Sequence, residues 1–249
     1  MKTIIIAAGM SNRLRPITND KPKCLLEING KTILDRQLEA LRACGVNDIS
    51  IIRGYKAEMI NLPGLKYYEN TDYQNNNILS SLFYAEKEMN GEFIVSYSDI
   101  IYDKMVIEEL LKSEKDISLI VDEDWIGYYQ GRTEHPIEEA ENVIIQNGKI
   151  LQIGKHVTAA EAHGEFIGMA KFSKIGAEIF KRESQRAKNT YWGKPFQRTK
   201  TFEKSYLTDM FQELVDRGIE LYPVIIKKHW WEIDTEQDLR KVRKIFSKK

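Results

Sequence analysis

Residues 3–7 (TIIIA) form a short, unbroken apolar run, the pattern of a strand covered on both faces in a parallel sheet. After an Asn29-Gly30 turn, residues 32–43 put Ile33, Leu34, Leu38 and Leu41 on one helical face, with Gly45 as the stop. Residues 48–53 (DISIIR) read as the next strand. Strand, helix, strand is a βαβ crossover, and the alternation continues with a helix over 78–89, a strand over 92–97 (EFIVSY), a helix over 104–113 and a strand over 116–121 (DISLIV). The second half changes character. Residues 142–155 are two alternating runs around Asn147-Gly148, a hairpin signal, and 165–172 read as a further strand. Helices are predicted over 175–186 and 201–216, the second opened by Thr201 as N-cap and burying Phe202, Tyr206, Met210, Phe211 and Leu214. Strands over 219–226 and 229–233 and a basic helix over 236–246 close the chain. The expectation is an α/β fold: a Rossmann-like, mostly parallel sheet flanked by helices, with a small antiparallel appended portion.

Charge narrows the function. Thirty-seven Lys and Arg balance thirty-seven Asp and Glu, so no global field draws the protein to nucleic acid or an anionic membrane, and any recognition of phosphate is local. Two cysteines, Cys24 and Cys44, are too few for a disulfide framework and form no C-x-x-C pair, which fits a reducing cytoplasm. The apolar run at the start is followed at once by Arg13 and Arg15, unlike a signal peptide, and no stretch approaches the ~20 apolar residues that span a bilayer. A cytoplasmic protein without stable membrane insertion, a monomer or homodimer, is expected. The run 240–249 reads as a solvated amphipathic helix.

Ligands of open α/β sheets bind beyond the carboxyl ends of the strands. After the first strand comes Ala7-Ala8-Gly9-Met10-Ser11-Asn12-Arg13-Leu14, whose small residues allow close approach of a ligand, whose N–H groups can cradle phosphate oxygens, and whose Arg13 adds a planar donor fork. It is neither a Walker A loop nor G-x-G-x-x-G, and an ordinary strand-to-helix turn is the alternative. Lys23 follows Pro22, which fixes the backbone and can aim the ammonium; taken alone, a solvated surface lysine is the alternative. Asp99 follows the EFIVSY strand and Asp234 follows HWWEI; two such carboxylates can share one Mg²⁺ with substrate phosphates. Alternatively, each caps the helix that follows it.

The combination of A-A-G-x-x-x-R-L-x-P-x-T, a P-K pair, an Asp after a mid-chain strand and an Asp near the C-terminus resembles the nucleotidyltransferases that activate small phosphates as nucleoside diphosphate conjugates. Within them, Asn70 to Leu82 (NTDYQNNNILSSL), Val95 to Ile101 (VSYSDII), the aromatic stretch 124–139 and Trp231 to Asp238 (WEIDTEQD) are most similar to phosphocholine and phosphonate cytidylyltransferases, including the domains fused to phosphoenolpyruvate mutase. The resemblance implies one domain over 1–249, with 122–160 and 186–200 as acceptor-side insertions. It implies CTP and a small amine-bearing phosphate or phosphonate as substrates, and Mg²⁺ on Asp99 and Asp234. It makes Lys23 and Arg13 catalytic, and gives the nucleotide Ala7, Ala8, Gly9, Met10, Ser11 and Asn12 together with Asn77, Ile78, Ser80, Ser81 and Ser98. Ser11 stands where the family usually has a second glycine, although serine disfavours φ > 0. Ser98-Asp99 stands where sugar-nucleotide enzymes commonly read Gly-Asp.

For the acceptor, Trp125, Tyr128, Tyr129, Trp192, Trp230 and Trp231 offer aromatic faces to a cationic amine, or else pack in the core. Arg132 and His135, with Glu138 and Glu139 nearby, suit an anion and an amine, and Glu165 suits ribose hydroxyls or the amine. His156, His163 and His229 have no ligand spacing, and no zinc is expected. A sugar-1-phosphate nucleotidyltransferase and a non-catalytic nucleotide-binding domain are the competing readings.

Overall fold

A computed structural model describes residues 1–247; Lys248 and Lys249 of the closing basic run lie outside them. In chain order the main elements are β1 (Lys2–Ala7), β2 (Glu27–Ile28), β3 (Lys31–Thr32), α1 (Ile33–Ala43), β4 (Asp48–Arg53), β5 (Lys66–Glu69), α2 (Ile78–Leu82), β6 (Phe93–Tyr97), β7 (Ile100–Tyr102), α3 (Lys104–Lys112) and β8 (Ile117–Asp122). The second half adds β9 (Asn142–Gln146), β10 (Lys149–Ile153), β11 (Gly164–Phe172), α4 (Lys174–Tyr191), α5 (Leu207–Asp216), β12 (Tyr222–Ile226), β13 (Trp230–Glu232) and α6 (Glu236–Phe246).

A parallel core, β6-β1-β4-β5, is fed by the crossovers that the apolar runs predict. β11 runs antiparallel between this core and β8, which pairs with β12 in parallel. The β9–β10 hairpin attaches to the start of β11, so the second half of the expected insertion 122–160 belongs to the main sheet. Of the other expected insertion, 186–191 are the last turns of α4. Because β11 is antiparallel, its first residues lie at the same end of the sheet as the last residues of β1, β6 and β8. Two large apolar clusters cover the two faces, one under α2, α4 and α5 and the other under α1 and α3.

Four elements depart from the periodicity. The helix expected over 78–89 is α2 followed by a 3-10 segment, Phe83–Glu88, with non-helical backbone at Ala85. The helix expected from Thr201 starts at Leu207: the Glu203 and Ser205 carbonyls accept from the Asn77 and Leu79 N–H groups and are taken out of any helical ladder. The short strands β5 and β7 carry too few alternating apolar positions to stand out, and their place comes from pairing with β4 and β13.

Candidate active site

The loop after β1 is braced from below. Tyr55 donates its N–H to the Ala8 carbonyl at 3.1 Å, and Gly54 packs so closely that a Cβ there would meet the same oxygen at 2.7 Å. Ser11 adopts the left-handed conformation (φ 51, ψ 48) despite its side chain, and its carbonyl is held by the Thr18 hydroxyl at 3.0 Å and the Leu14 N–H at 3.1 Å. The serine therefore does the turning that a glycine usually does.

Asp99 and Asp234 come together through backbone pairing. The α1 residue Gln37, fully buried, donates to the Tyr97 and Ile100 carbonyls at 2.8 Å each, clamping the bend that carries Ser98 and Asp99. β13 pairs with β7, and the Ile233 N–H donates to the Asp99 carbonyl at 2.9 Å, which sets Asp234 opposite. Lys23, on the 3-10 turn Lys23–Leu25 after Pro22, lies between the carboxylates: its Nζ is 3.0 Å from Asp99 Oδ2 and 2.5 Å from Asp234 Oδ1. Arg13 reaches Asp234 Oδ2 at 2.5 Å, and His135 Nδ1 lies 3.1 Å from the same oxygen. Burial opposes the Lys23 charge, yet Asp234 and Asp99 hold its pKa above the ordinary lysine value. Burial likewise opposes ionisation of Asp234, and Lys23, His135 and Arg13 together hold it well below the usual carboxylate range. Neither aspartate caps a helix: Thr235 caps α6 in a capping box with Asp238, and Asp103 stands at the start of α3.

These groups open onto a cavity of about 510 Å³, within the range of small-molecule sites. Its lining includes Ala7, Ala8, Gly9, Met10, Ser11, Asn12, Arg13, Lys23, Asn77, Ile78, Ser81, Ser98, Asp99, His135, Glu165 and Asp234, so most sequence-selected residues converge. Asn77 caps α2 by accepting from the Ile78 N–H, and Asn70 ties Ser81 and Asn76 together at 2.8 Å each.

Six aromatic and polar assignments fall elsewhere. Ser80 is turned off the face shared by Ile78 and Ser81 and donates to the Glu203 carbonyl at 3.3 Å. It lines a second cavity of about 280 Å³ together with Trp192. Trp125 is buried edge-on against Tyr129, away from the main cavity, because the polar stretch around it folds a small core of its own. Trp231 packs on Phe246, while Trp230, its neighbour on the strand, lines the cavity instead. Arg132 is buried beside the cavity with Nε 2.7 Å from Asp238 Oδ1 and Nη2 2.7 Å from Glu232, so its charge is matched within the protein. Tyr129 stands behind Glu165, donating its hydroxyl to Oε1 at 2.5 Å, while Glu165 Oε2 is buried without a hydrogen-bond partner among the described residues.

The cavity also exposes Tyr97, Glu139, Glu141, Lys155, Lys204, Tyr206 and Glu232, none of which was selected as a ligand contact from sequence except Glu139, noted beside His135. The signal for Glu232 was present: two residues before Asp234 on an extended run, it shares that face. Its carboxyl is pushed up by burial and by Asp234. With His135 and Asp234 it offers ligand atoms within 4.8 Å of one another. The carboxylates of Asp99 and Asp234 fit a hard divalent cation as well, since they converge on the Lys23 ammonium and Asp99 Oδ1 is buried without a partner among the described residues.

The fold aligns over 98% of this chain and 98% of the other, at TM-score 0.74 and 22% identity, with the CTP:phosphocholine cytidylyltransferase of Streptococcus pneumoniae. That likeness establishes the fold, and a family match and a full-length relative place this chain among the nucleotidyltransferases. More narrowly, residues 3–162 match the MobA-like NTP transferase domain, and the chain belongs to that family. It is 31% identical over 252 residues to the CTP:phosphoglutamine cytidylyltransferase of Campylobacter jejuni, spanning 96% of this chain and 98% of that protein. To the choline-phosphate cytidylyltransferase of Streptococcus pneumoniae it is 33% identical over 117 residues, 45% of this chain and about half (51%) of that relative.

Proposed function

We propose that the protein is a CTP-dependent cytidylyltransferase that moves CMP onto a small amine-bearing phosphate or phosphonate, such as phosphocholine, aminoethylphosphonate or a phospho-amino acid like phosphoglutamine, and releases pyrophosphate. The observation that carries this reading is Lys23 held between Asp99 and Asp234 in a cavity also lined by the loop 7–13. The near full-length similarity to a CTP:phosphoglutamine enzyme favours cytidine and an amine-bearing acceptor.

An acceptor oxygen attacks the α-phosphorus of CTP in line, the bond to the β,γ-diphosphate breaks, and pyrophosphate leaves with the electron pair. The attacking oxygen is already anionic near neutral pH, so no side chain has to remove a proton. What the site supplies is neutralisation and alignment of two polyanions. Lys23 and Arg13 face the triphosphate, the N–H groups of Ala8 to Asn12 orient it, and Asn77, Ile78 and Ser81 face the pyrimidine. Asp99 and Asp234 would hold Mg²⁺, which when bound screens the repulsion between the reactants.

Pyrophosphate release from a panel of nucleoside triphosphates against phosphate and phosphonate acceptors, with Mg²⁺, tests the proposal. Turnover is expected with CTP and amine-bearing acceptors. Turnover with sugar 1-phosphates alone would replace it by the sugar-nucleotide reading, and nucleotide binding without turnover by the non-catalytic one.

A further inference from the structure

The wall facing the β1 loop carries four carboxylates, and they differ in what answers their charge. Glu139 pairs with Lys155 at 2.6 Å and Glu232 with Arg132 at 2.7 Å, whereas Glu165, like Glu141, has no ion pair among the described residues: it receives the Tyr129 hydroxyl at Oε1, and Arg132 acts on it through space. Glu141, just before β9, accepts only from neutral hydroxyls: Thr208 Oγ1 donates to Oε1 at 2.9 Å and Tyr97 Oη to Oε2 at 3.3 Å. Among the described residues no arginine or lysine forms an ion pair with it. Lys155 lies near enough to act on it through space, but its ammonium is committed to Glu139 and sits 5.0 Å above the Tyr206 ring.

The surroundings are built for a small cation. Tyr97, Phe166 and Tyr206 line the same part of the cavity, with Tyr97 edge-on to Phe166 at 6.0 Å. The Tyr97 ring occupies space that only Gly168 leaves free: a Cβ there, at φ +86, would meet the ring at 2.4 Å. This glycine lies where the β11 pairing with β8 slips between Phe166 and Ala170, so the bulge makes room for the ring. Burial pushes the Glu141 carboxyl up to about 7, against the pull of Lys155, Thr208 and Tyr97 and with Asp209 adding to the rise. A carboxylate among aromatic rings, held by hydroxyls and lacking a protein cation, is complementary to an ammonium group, which would supply N–H donors and the missing charge together.

Resting on the cytidylyltransferase reading, we propose that Glu141 seats the ammonium group of the acceptor, with the rings of Tyr97 and Tyr206 about it. The seat belongs to the same cavity as the reacting end, and Asp99 as well as Glu141 acts through space on the Tyr97 hydroxyl. An amine a few bonds from the phosphoryl group therefore reaches Glu141 while that group faces the α-phosphate.

The test is steady-state kinetics with 2-aminoethylphosphonate and its amine-free counterpart ethylphosphonate, for the wild type, Glu141→Gln and Glu141→Asp. Glu141→Gln should lower kcat/KM for the amine-bearing acceptor about ten- to a hundredfold more than for the amine-free one, the span of a lost charge-assisted hydrogen bond. Glu141→Asp, which keeps the charge, should recover part of that loss. Equal losses on both acceptors, in a variant whose Tm matches the wild type, would overturn the amine seat alone. No transfer from CTP by the wild type to these acceptors, to phosphocholine or to phosphoglutamine would overturn the cytidylyltransferase reading and the seat with it.

Discussion

The two walls of the cavity handle charge differently. On the loop side, residues 7–12 offer backbone and short side chains, and the charges there (Lys23, Arg13, Asp99, Asp234) form a single ion-paired cluster lining the cavity. On the far side, most charges are answered inside the protein: Arg132 by Asp238 and Glu232, Glu139 by Lys155, and Glu165 in part by Tyr129. The first wall can exchange its internal partners for a polyanion and cation, and the second keeps its partners as scaffold. Charge at a cavity therefore signals chemistry only where ligand groups can replace its partners.

That contrast can be broken by substitution. Lys23→Ala or Asp99→Ala should lower kcat by about a thousandfold, the scale of losing a group that meets developing charge, with circular dichroism unchanged; near-wild-type turnover of Asp99→Ala would remove it from the metal site. Arg132→Met should act on the scaffold instead. It strands two acids, one of them the fully buried Asp238, and should cost about 3 kcal/mol in urea unfolding, with a smaller effect on kcat. A variant as stable as the wild type but catalytically dead would place Arg132 among the reacting groups. Smallest is Ser11→Gly: relieving a left-handed serine should add up to ~1 kcal/mol of stability if the Thr18 contact persists.

The same contrast explains how much was legible in the sequence. The parallel core was readable because the runs at 3–7, 48–53 and 92–97 are covered on both faces, and the loop residues followed because they adjoin a strand end. Asp99 and Asp234 were found by the same rule, although what joins them, the β7–β13 pairing, lies in strands of three residues. The far wall was read poorly because its contacts span the chain. Arg132 meets Asp238 across 106 positions and Tyr128 accepts from the Glu232 N–H across 104, so the sequence left open whether these aromatics face an acceptor or pack, and the structure packs Trp125, Tyr128 and Tyr129 together. Trp125 and Trp231 carried no local mark separating a core tryptophan from a ligand face. Glu141 was hidden by its neighbours in the acidic run 138–141, and only its contacts with Thr208 and Tyr97 set it apart.

The most direct test of the central claim is phosphorus NMR of the purified protein with CTP, Mg²⁺ and 2-aminoethylphosphonate. The account predicts loss of the CTP and phosphonate signals, with pyrophosphate and a new mixed-anhydride resonance appearing in equal amounts. The phosphonate left intact, while CTP and a sugar 1-phosphate added to the same tube are both consumed, would contradict it.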